Sequence, residues 1–331
     1  MNRPYERWTG YRSSLGLGIQ RYIETKRALG RRFGNEERAL RLFDRFLADT
    51  GIASVPDVTS AVVDAFLISR RRSSASSYNH LLGVVRRLLK WLAVQGVPGV
   101  QLYGGRARRE TGRRIPVILD DAQARCLLEA AGRLPDGSRA RLRGPNYRMI
   151  FAILYHLGLR VGEVSRLELG DIDLVRDLLS IRRTKFGKDR LVPYGPRLGA
   201  SLRAYLDLRH AAGGSLSPAA PLFSFDGRSP ISTNSIRNVF QQLVRGAGIP
   251  RSAGGSPPRA HDLRHTFAVT TLLQWYRQRI DPAERLHHLS TILGHVNLQA
   301  TAVYLTITSE LLEEASRRFA ALASPMLAGG A

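Results

Sequence analysis

The stretch ILGHVNLQATAVYL, Ile292 to Leu305, carries His295 and, nine residues later, Tyr304. A tyrosine among aliphatic neighbours reads first as a packing residue with its hydroxyl at the surface. To act instead as a nucleophile toward phosphorus, a phenol with a reference pKa of about 10 needs a group that takes its proton. A phosphodiester under attack in turn needs guanidinium donors for its non-bridging oxygens and an acid for its leaving alkoxide. Three other segments supply these residue types. In HLGLRVGEVSRLELGDIDL, Arg160 follows a glycine break and Glu163 lies one turn on, a spacing that could hold the guanidinium and that an ordinary helical ion pair shares. In AHDLRHTFAVTTLL, His261 and Arg264 have i, i+3 spacing and can point at one target from one helical face. The same spacing serves a helix start on the surface, and a metal site there lacks histidine and carboxylate partners at suitable positions. The third segment is the turn TKFGKDR. Of 50 basic residues only four are lysines, Lys26, Lys90, Lys185 and Lys188, and two of them fall in this turn. Lysine can give up a proton near neutral pH and arginine cannot, so a lysine there suits a general acid.

The elements that must position these groups are mostly helical. From Gly16 to Gln95 the apolar residues recur at helical period without strand signals, which predicts helices near Leu17 to Leu29, Glu36 to Leu47, Ser60 to Ser69 and Ala75 to Val94. Asn35, Thr59 and Ser74 are the expected N-caps, and Gly30 and Gly51 the expected stops. The fourth helix sets Leu81, Leu82, Val85, Leu88, Leu89 and Leu92 on one side, with Arg86, Arg87 and Lys90 elsewhere and Arg70, Arg71 and Arg72 just ahead. Residues 1–96 therefore read as a helical DNA-binding domain. Residues 97–115, with a proline, paired glycines and Arg106, Arg108, Arg109, Arg113 and Arg114, read as a basic linker. The residues put forward as DNA contacts are Arg71, Arg72, Arg86, Arg87, Lys90, Arg106, Arg108 and Arg109, although exposed arginines on a helix are often only solvated charge. Residues 116–331 form a second, larger domain. In it Asp120 and Asp121 can cap the helix AQARCLLEAAGRL, and helices follow at Tyr147 to His156, Arg197 to Arg209, Thr233 to Ala247 and Leu263 to Trp275. LLSIRRT and RLVPY are the expected strands, joined by KFGKD.

Composition narrows the class. A chain of 331 residues, 44% hydrophobic, is long enough for two cores. Its 50 basic and 27 acidic residues give a net charge of +23, a field that attracts polyanions and makes nucleic acid the leading partner. Residues 1–115 alone hold 22 basic and 9 acidic residues. No apolar run reaches the roughly 20 residues of a membrane span, and MNRPYERWTGYRSSLG lacks the apolar core of a signal peptide, so a cytoplasmic, nucleoid-associated protein is expected. The single cysteine, Cys126, is expected as a small buried apolar residue.

Taken together and in order, the four segments resemble the tyrosine recombinase, or phage integrase, family, and the resemblance covers nearly the whole chain. GLRVGEVSRLELGDIDL is similar to the family's first arginine segment, TKFGKDRLVPY to its lysine hairpin, HDLRHTFA to its His-x-x-Arg segment, and LGHVNLQATAVYL to its LGH segment and terminal tyrosine. The resemblance implies a mainly α fold with a small antiparallel β-sheet, composed of an N-terminal helical core-binding (SAM-like) domain and a DNA breaking-rejoining catalytic domain, shaped as a clamp. It implies that Arg160 and Arg264 bind the scissile phosphate, that His261 accepts or relays the tyrosine proton, and that Lys185 protonates the leaving 5′ hydroxyl. His295 would hydrogen-bond a phosphate oxygen, Tyr304 would become joined to the 3′ phosphate, and Glu163 would support them. Lys188 is the rival of Lys185; alignment through RLVPY favours Lys185. The implied partner is double-stranded DNA, bound by a homotetramer or by a hetero-oligomer with related recombinases through a Holliday junction, with no cofactor, metal, membrane or small-molecule substrate. The segment from Arg264 to His295 is longer than in common members and resembles transposon-borne recombinases; the extra residues lie near Tyr276 to His287. After Tyr304, TSELLEEASRRFAALA reads as an amphipathic helix with Leu311, Leu312, Ala315 and Phe319 on one face, docked on a neighbouring protomer or on its own domain. Two alternatives stay open: a type IB topoisomerase-like relaxing enzyme, and a catalytically silent DNA-binding protein.

Overall fold

The computed structural model describes residues 10–70, 72, 74–109, 114–182, 189–251 and 255–306. The chain divides into two units, Met1–Arg113 and Arg114–Ala331. Arg71, both lysines of the TKFGKDR turn, Arg113 and the helix expected after Tyr304 lie outside the described residues.

The first unit contains α1 (Gly16–Ala28), α2 (Gly34–Asp49), α3 (Ser60–Ser69) and α4 (Ala75–Val94). Thr59 and Ser74 cap α3 and α4, accepting from the backbone N–H groups of Val62 and Ser77. Gly30 and Gly51 follow α1 and α2 at φ +76° and +69°, the left-handed conformation that stops a helix at least cost to glycine. Asn35 is not the cap of α2. The helix starts at Gly34 behind Phe33, which takes φ +50° because its ring is buried edge-on against Tyr22 at 5.4 Å, so packing rather than a polar cap sets the entry. Ile19, Leu40, Phe43, Phe66, Val85 and Leu88 are among the residues that fill the core. The stretch from Val97 lies along this bundle: Val97 and Val100 pack on its core, Tyr103 is buried with its hydroxyl on Asp64, and Arg86 donates to the carbonyls of Tyr103 and Gly105.

The second unit contains α5 (Asp121–Gly132), α6 (Arg143–Leu157), α7 (Val161–Val164), a 3-10 turn (Leu169–Asp171), and the strands β1 (Ile172–Asp173), β2 (Leu178–Ile181) and β3 (Arg190–Pro193). The helices α8 (Pro196–Ala211), α9 (Thr233–Gly246), α10 (Asp262–Arg277), α11 (Pro282–Leu293) and α12 (Gln299–Ala302) follow, and a 3-10 turn, Val303–Thr306, carries Tyr304. The sheet is antiparallel in the order β1-β2-β3, with Leu179 opposite both Ile172 and Val192. Asp120 caps α5 through a reciprocal box with Gln123. The core gathers around α6, whose Ile150, Phe151, Ile153 and Leu154 are buried against Leu179, Val192, Phe240 and Leu263 among others. A second cluster, built from Ala268, Val269, Leu272, Leu286, Leu289 and Leu293, packs α10 against α11 and takes in the ring of Tyr304. Residues of the long Arg264 to His295 segment form the end of α10, a turn with Arg279 at φ +59°, and the start of α11, capped by Asp281 with Pro282 at its first position. Cys126 is exposed on α5 rather than buried, because Ala124, Leu127 and Ala131 form the inner face of that helix. Among the described residues no helix is long and apolar enough to cross a membrane.

Candidate active site

Arg264 sits in the first turn of α10 and is 1% exposed. A buried guanidinium usually faces a carboxylate, since an unpaired ion out of water is costly. Here its partners are carbonyls: Nη1 donates to Gly158 O at 2.8 Å and Nη2 to Leu293 O at 2.7 Å. Both carbonyls belong to helix C-termini. Gly158 caps α6 at φ +60°, and Leu293 is the last residue of α11, which Gly294 caps at φ +65°. The negative ends of two helix dipoles thus stabilise Arg264 without cancelling its charge. Burial and the nearby Arg160 lower its pKa to about 10, so it stays cationic near neutral pH.

Arg160 is placed by the same end of α11. It precedes α7, and its Nη2 donates to Gly294 O at 2.7 Å, one peptide on from the carbonyl that holds Arg264. Its Nη1 donates to Glu163 Oε1 at 2.8 Å, and its backbone N–H to Glu163 Oε2 at 3.0 Å. The i, i+3 pair expected between them therefore forms, with Glu163 almost fully buried and Arg160 still partly open. Burial works to raise the Glu163 carboxyl, but hydrogen bonds from Arg190 and Arg160 overcome it and hold the group at about 2. Arg190, at the start of β3, donates to both Glu163 oxygens, at 3.1 and 2.8 Å, and through Nε to Ile292 O at 2.8 Å.

Two imidazoles flank the arginines. His261 stands at the N-terminal edge of α10 with one side open. The enclosing protein, His265 and Arg264 push its pKa down to about 4, which leaves it neutral and able to accept a proton near pH 7. His295 directly follows the cap of α11, and its Nδ1 lies 2.8 Å from Thr301 Oγ1, which leaves Nε2 for another partner. Burial, then Arg264 and Arg160, lower its pKa to about 4 as well. Tyr304 is 3% exposed, with its ring 6.3 Å from that of His295 in near-parallel stacking and 5.4 Å from that of His265. Burial raises the phenol pKa, opposed by the charge and hydrogen bond of Arg264. His265 lies between Tyr304 and His261, 4.8 Å from the latter ring, and its buried Nδ1 has no hydrogen-bond partner among the described residues.

The five side chains of Arg160, His261, Arg264, His295 and Tyr304, up to 144 positions apart in the chain, thus gather at the adjoining ends of α6, α10 and α11, with Glu163 behind them. Lys185 and its rival Lys188 are outside the described residues, but β2 and β3, which flank their turn, are paired, and β3 meets this site through Arg190. Sequence spacing did not single out Arg190, His265 or Thr301. His265 alone carried a local signal, as the neighbour of Arg264. Another long-range tie steadies α10: Arg114 forms a bidentate pair with the buried Asp262, at 2.8 and 2.6 Å, next to His261. In the first unit, Arg87, Lys90, Arg106, Arg108 and Arg109 are exposed, Arg72 is half-buried, and the Arg108 guanidinium lies 3.9 Å over the Tyr78 ring.

Residues 118–310 match the phage integrase family. The integrase/recombinase y4rB of Sinorhizobium fredii is 35% identical to this chain, covering 92% of it and 97% of the relative. The tyrosine recombinase XerD of Mycobacterium tuberculosis is 30% identical, over 91% of this chain and 96% of the relative. Among solved structures, the Tn1549 transposon integrase in complex with transposon right end DNA shares the fold at a TM-score of 0.63 and 17% identity, over 92% of this chain and 99% of that one. The XerH site-specific recombinase bound to its difH substrate does so at 0.62 and 18%, over 96% and 99%. The mainly helical fold with its small antiparallel sheet is the one these proteins share, and this chain belongs to the phage integrase family, the tyrosine recombinases.

Proposed function

We propose that this recombinase cuts and rejoins DNA at specific sites through a 3′-phosphotyrosyl bond on Tyr304. The observation that carries the reading is the pair of guanidiniums, Arg160 and Arg264, held by neighbouring helix-end carbonyls beside the phenol of Tyr304. Cations fixed in this way are ready for an anion with two non-bridging oxygens and need no rearrangement as charge builds on them. Tyr304 Oη forms the new bond to phosphorus while the bond from phosphorus to the 5′ oxygen breaks. The phenol proton passes to neutral His261, directly or by relay, and Lys185 supplies the proton that the 5′ oxygen takes up. His295 donates to a phosphate oxygen through Nε2. Because the phosphotyrosine keeps the energy of the broken bond, the 5′ hydroxyl of a second duplex can reverse the attack and complete strand exchange. Exchange between two sites through a Holliday junction calls for four protomers on DNA, and the solved lambda integrase tetramer bound to a Holliday junction is a precedent within the fold. Residues 1–96 and the basic stretch 97–115 supply further contacts to the duplex, with Arg71, Arg72, Arg86, Arg87, Lys90, Arg106, Arg108 and Arg109 as the candidate ligands of phosphate and base.

The test is a nicked suicide substrate, in which the short cleaved strand diffuses away and the covalent complex accumulates. Wild-type protein gives a gel-shifted covalent adduct mapping to Tyr304. Tyr304→Phe loses the nucleophile and gives none, a loss of at least ~1,000-fold, while still binding the duplex. Transfer of the trapped strand to a second duplex separates recombination from simple relaxation. An adduct that persists in Tyr304→Phe sinks the assignment.

A further inference from the structure

The reaction above does not use Arg190, yet its guanidinium is fully engaged. Its side chain is 8% exposed, and all three of its guanidinium nitrogens donate: two to Glu163, from a sequence distance of 27, and one to the carbonyl of Ile292, from a distance of 102. One residue of the strand that follows the lysine turn therefore touches both the carboxylate behind Arg160 and the end of the helix that leads into His295. Glu163 poses a problem for any anion-binding site. A buried carboxylate 2.8 Å from Arg160 orients the guanidinium but also neutralises the charge a phosphate would meet. Arg190 resolves this, because the three guanidiniums of Arg160, Arg190 and Arg264 against one carboxylate leave two net positive charges around the site. Without Arg190 one would remain, with Glu163 drawing on Arg160 alone.

We propose that Arg190 is a positioning residue for DNA cleavage: it takes up the charge of Glu163 so that Arg160 keeps its own for the scissile phosphate. The inference rests on the recombinase reading. Its test is single-turnover cleavage of the nicked substrate by wild type, Arg190→Gln, Arg190→Lys and the double variant Glu163→Gln/Arg190→Gln, with the unfolding temperature and duplex binding of each variant measured alongside. Arg190→Gln lowers the net charge at the site by one and is expected to slow cleavage about 100-fold, the range seen when one donor to a developing anion is removed. Arg190→Lys keeps the charge and loses less than about tenfold. The double variant restores the wild-type charge balance and exceeds Arg190→Gln by about tenfold or more, a coupling that a mere staple of the fold would not produce. A substrate whose scissile phosphate is replaced by a neutral methylphosphonate removes the need for the charge, so on it wild type and Arg190→Gln agree to within about threefold. Equal deficits of Arg190→Gln on both substrates, or wild-type speed on the phosphate, overturn the proposal. Should Arg190→Gln fail to fold, the double variant carries the comparison, and a deficit against wild type beyond about 100-fold overturns it. If wild type itself forms no adduct, the recombinase reading falls and this inference with it; if wild type does and the variants contradict the pattern, only the role of Arg190 falls.

Discussion

His295 can help a phosphate only if it presents a proton, and its partner decides which nitrogen carries one. Its Nδ1 lies 2.8 Å from the hydroxyl of Thr301, a fully buried residue for which no other side-chain hydrogen bond is seen among the described residues. With the imidazole kept neutral by burial and by the nearby arginines, a hydroxyl that donates to Nδ1 places the ring proton on Nε2, where a phosphate oxygen can accept it. Thr301→Val keeps the shape and removes the hydroxyl, which frees the other tautomer and leaves a buried ring nitrogen unpaired. Cleavage of the nicked substrate is expected to fall about tenfold, equivalent to roughly 1.4 kcal/mol of barrier, and Thr301→Ser to recover most of it. Equal rates in Thr301→Val and wild type would show that the hydroxyl does not set the tautomer. The same scale explains the division of labour between Tyr304 and His261. Burial raises the phenol and lowers the imidazole, so both stand neutral near pH 7, one holding the proton to be lost and the other free to receive it.

At the scale of elements, the site is an arrangement of helix ends. α6 and α11 both stop on a left-handed glycine, and the last carbonyls they expose are the ones that Arg264 and Arg160 need. Gly294 has no room for a side chain: a Cβ there would lie 2.9 Å from Arg190 Nη1 and 3.2 Å from Arg160 Nη1. Gly294→Ala is therefore expected to cost about 1–2 kcal/mol from the left-handed backbone alone. It also displaces two guanidiniums, so cleavage should fall by more than the loss of stability explains; a drop in unfolding temperature with an unchanged cleavage rate would refute that link. Much of this frame was legible in the chain, because helical period and caps are local signals: Thr59, Ser74 and Asp120 cap the helices they announced. The pairing of Arg160 with Glu163 was legible for the same reason, its spacing being one helical turn. The rest is carried by distance. β1 has only two residues and no alternation to read, and the entry of α2 depends on where Tyr22 packs. Arg190 reaches Glu163 and Ile292 across the fold, and Thr301 meets His295 around a loop rather than along a helix face. None of these pairs leaves a period in the sequence.

For the whole molecule, the uncancelled charges that suit DNA also set how stability responds to pH. Glu163, held at about 2 against an ordinary 4.5, contributes on the order of 3 kcal/mol that is present above pH 4.5 and lost as pH falls toward 2. The histidines lie in the next window up. His261 and His295, each pushed down to about 4, and His156 and His265, also lowered by the protein around them, are less basic folded than unfolded. Their contribution is complete above about pH 6.5 and is lost as pH falls through the folded values. The groups that face His261 and His295 are mainly cationic, Arg160, Arg190 and Arg264, with the carboxylate of Asp262 raising His261 and already paired to Arg114. Protonating the imidazoles therefore adds positive charge to a site that already holds an excess of it, within a chain of net charge +23. The unfolding temperature of the second unit is expected to fall steadily from pH 7 to pH 4, before Glu163 titrates. A duplex carrying the target phosphate supplies the missing anion, and at 100 times its dissociation constant stabilises the fold by about 2.7 kcal/mol. Because the phosphate also favours the protonated imidazoles, that gain grows as pH falls from 7 toward 5, where binding a neutral polymer would show no such trend. Scanning fluorimetry of the full chain with and without duplex, at fixed ionic strength across this range, reads both effects. An unfolding temperature that is flat to pH 4, or a stabilisation by DNA that does not grow on acidification, would mean that the phosphate does not meet these imidazoles and arginines.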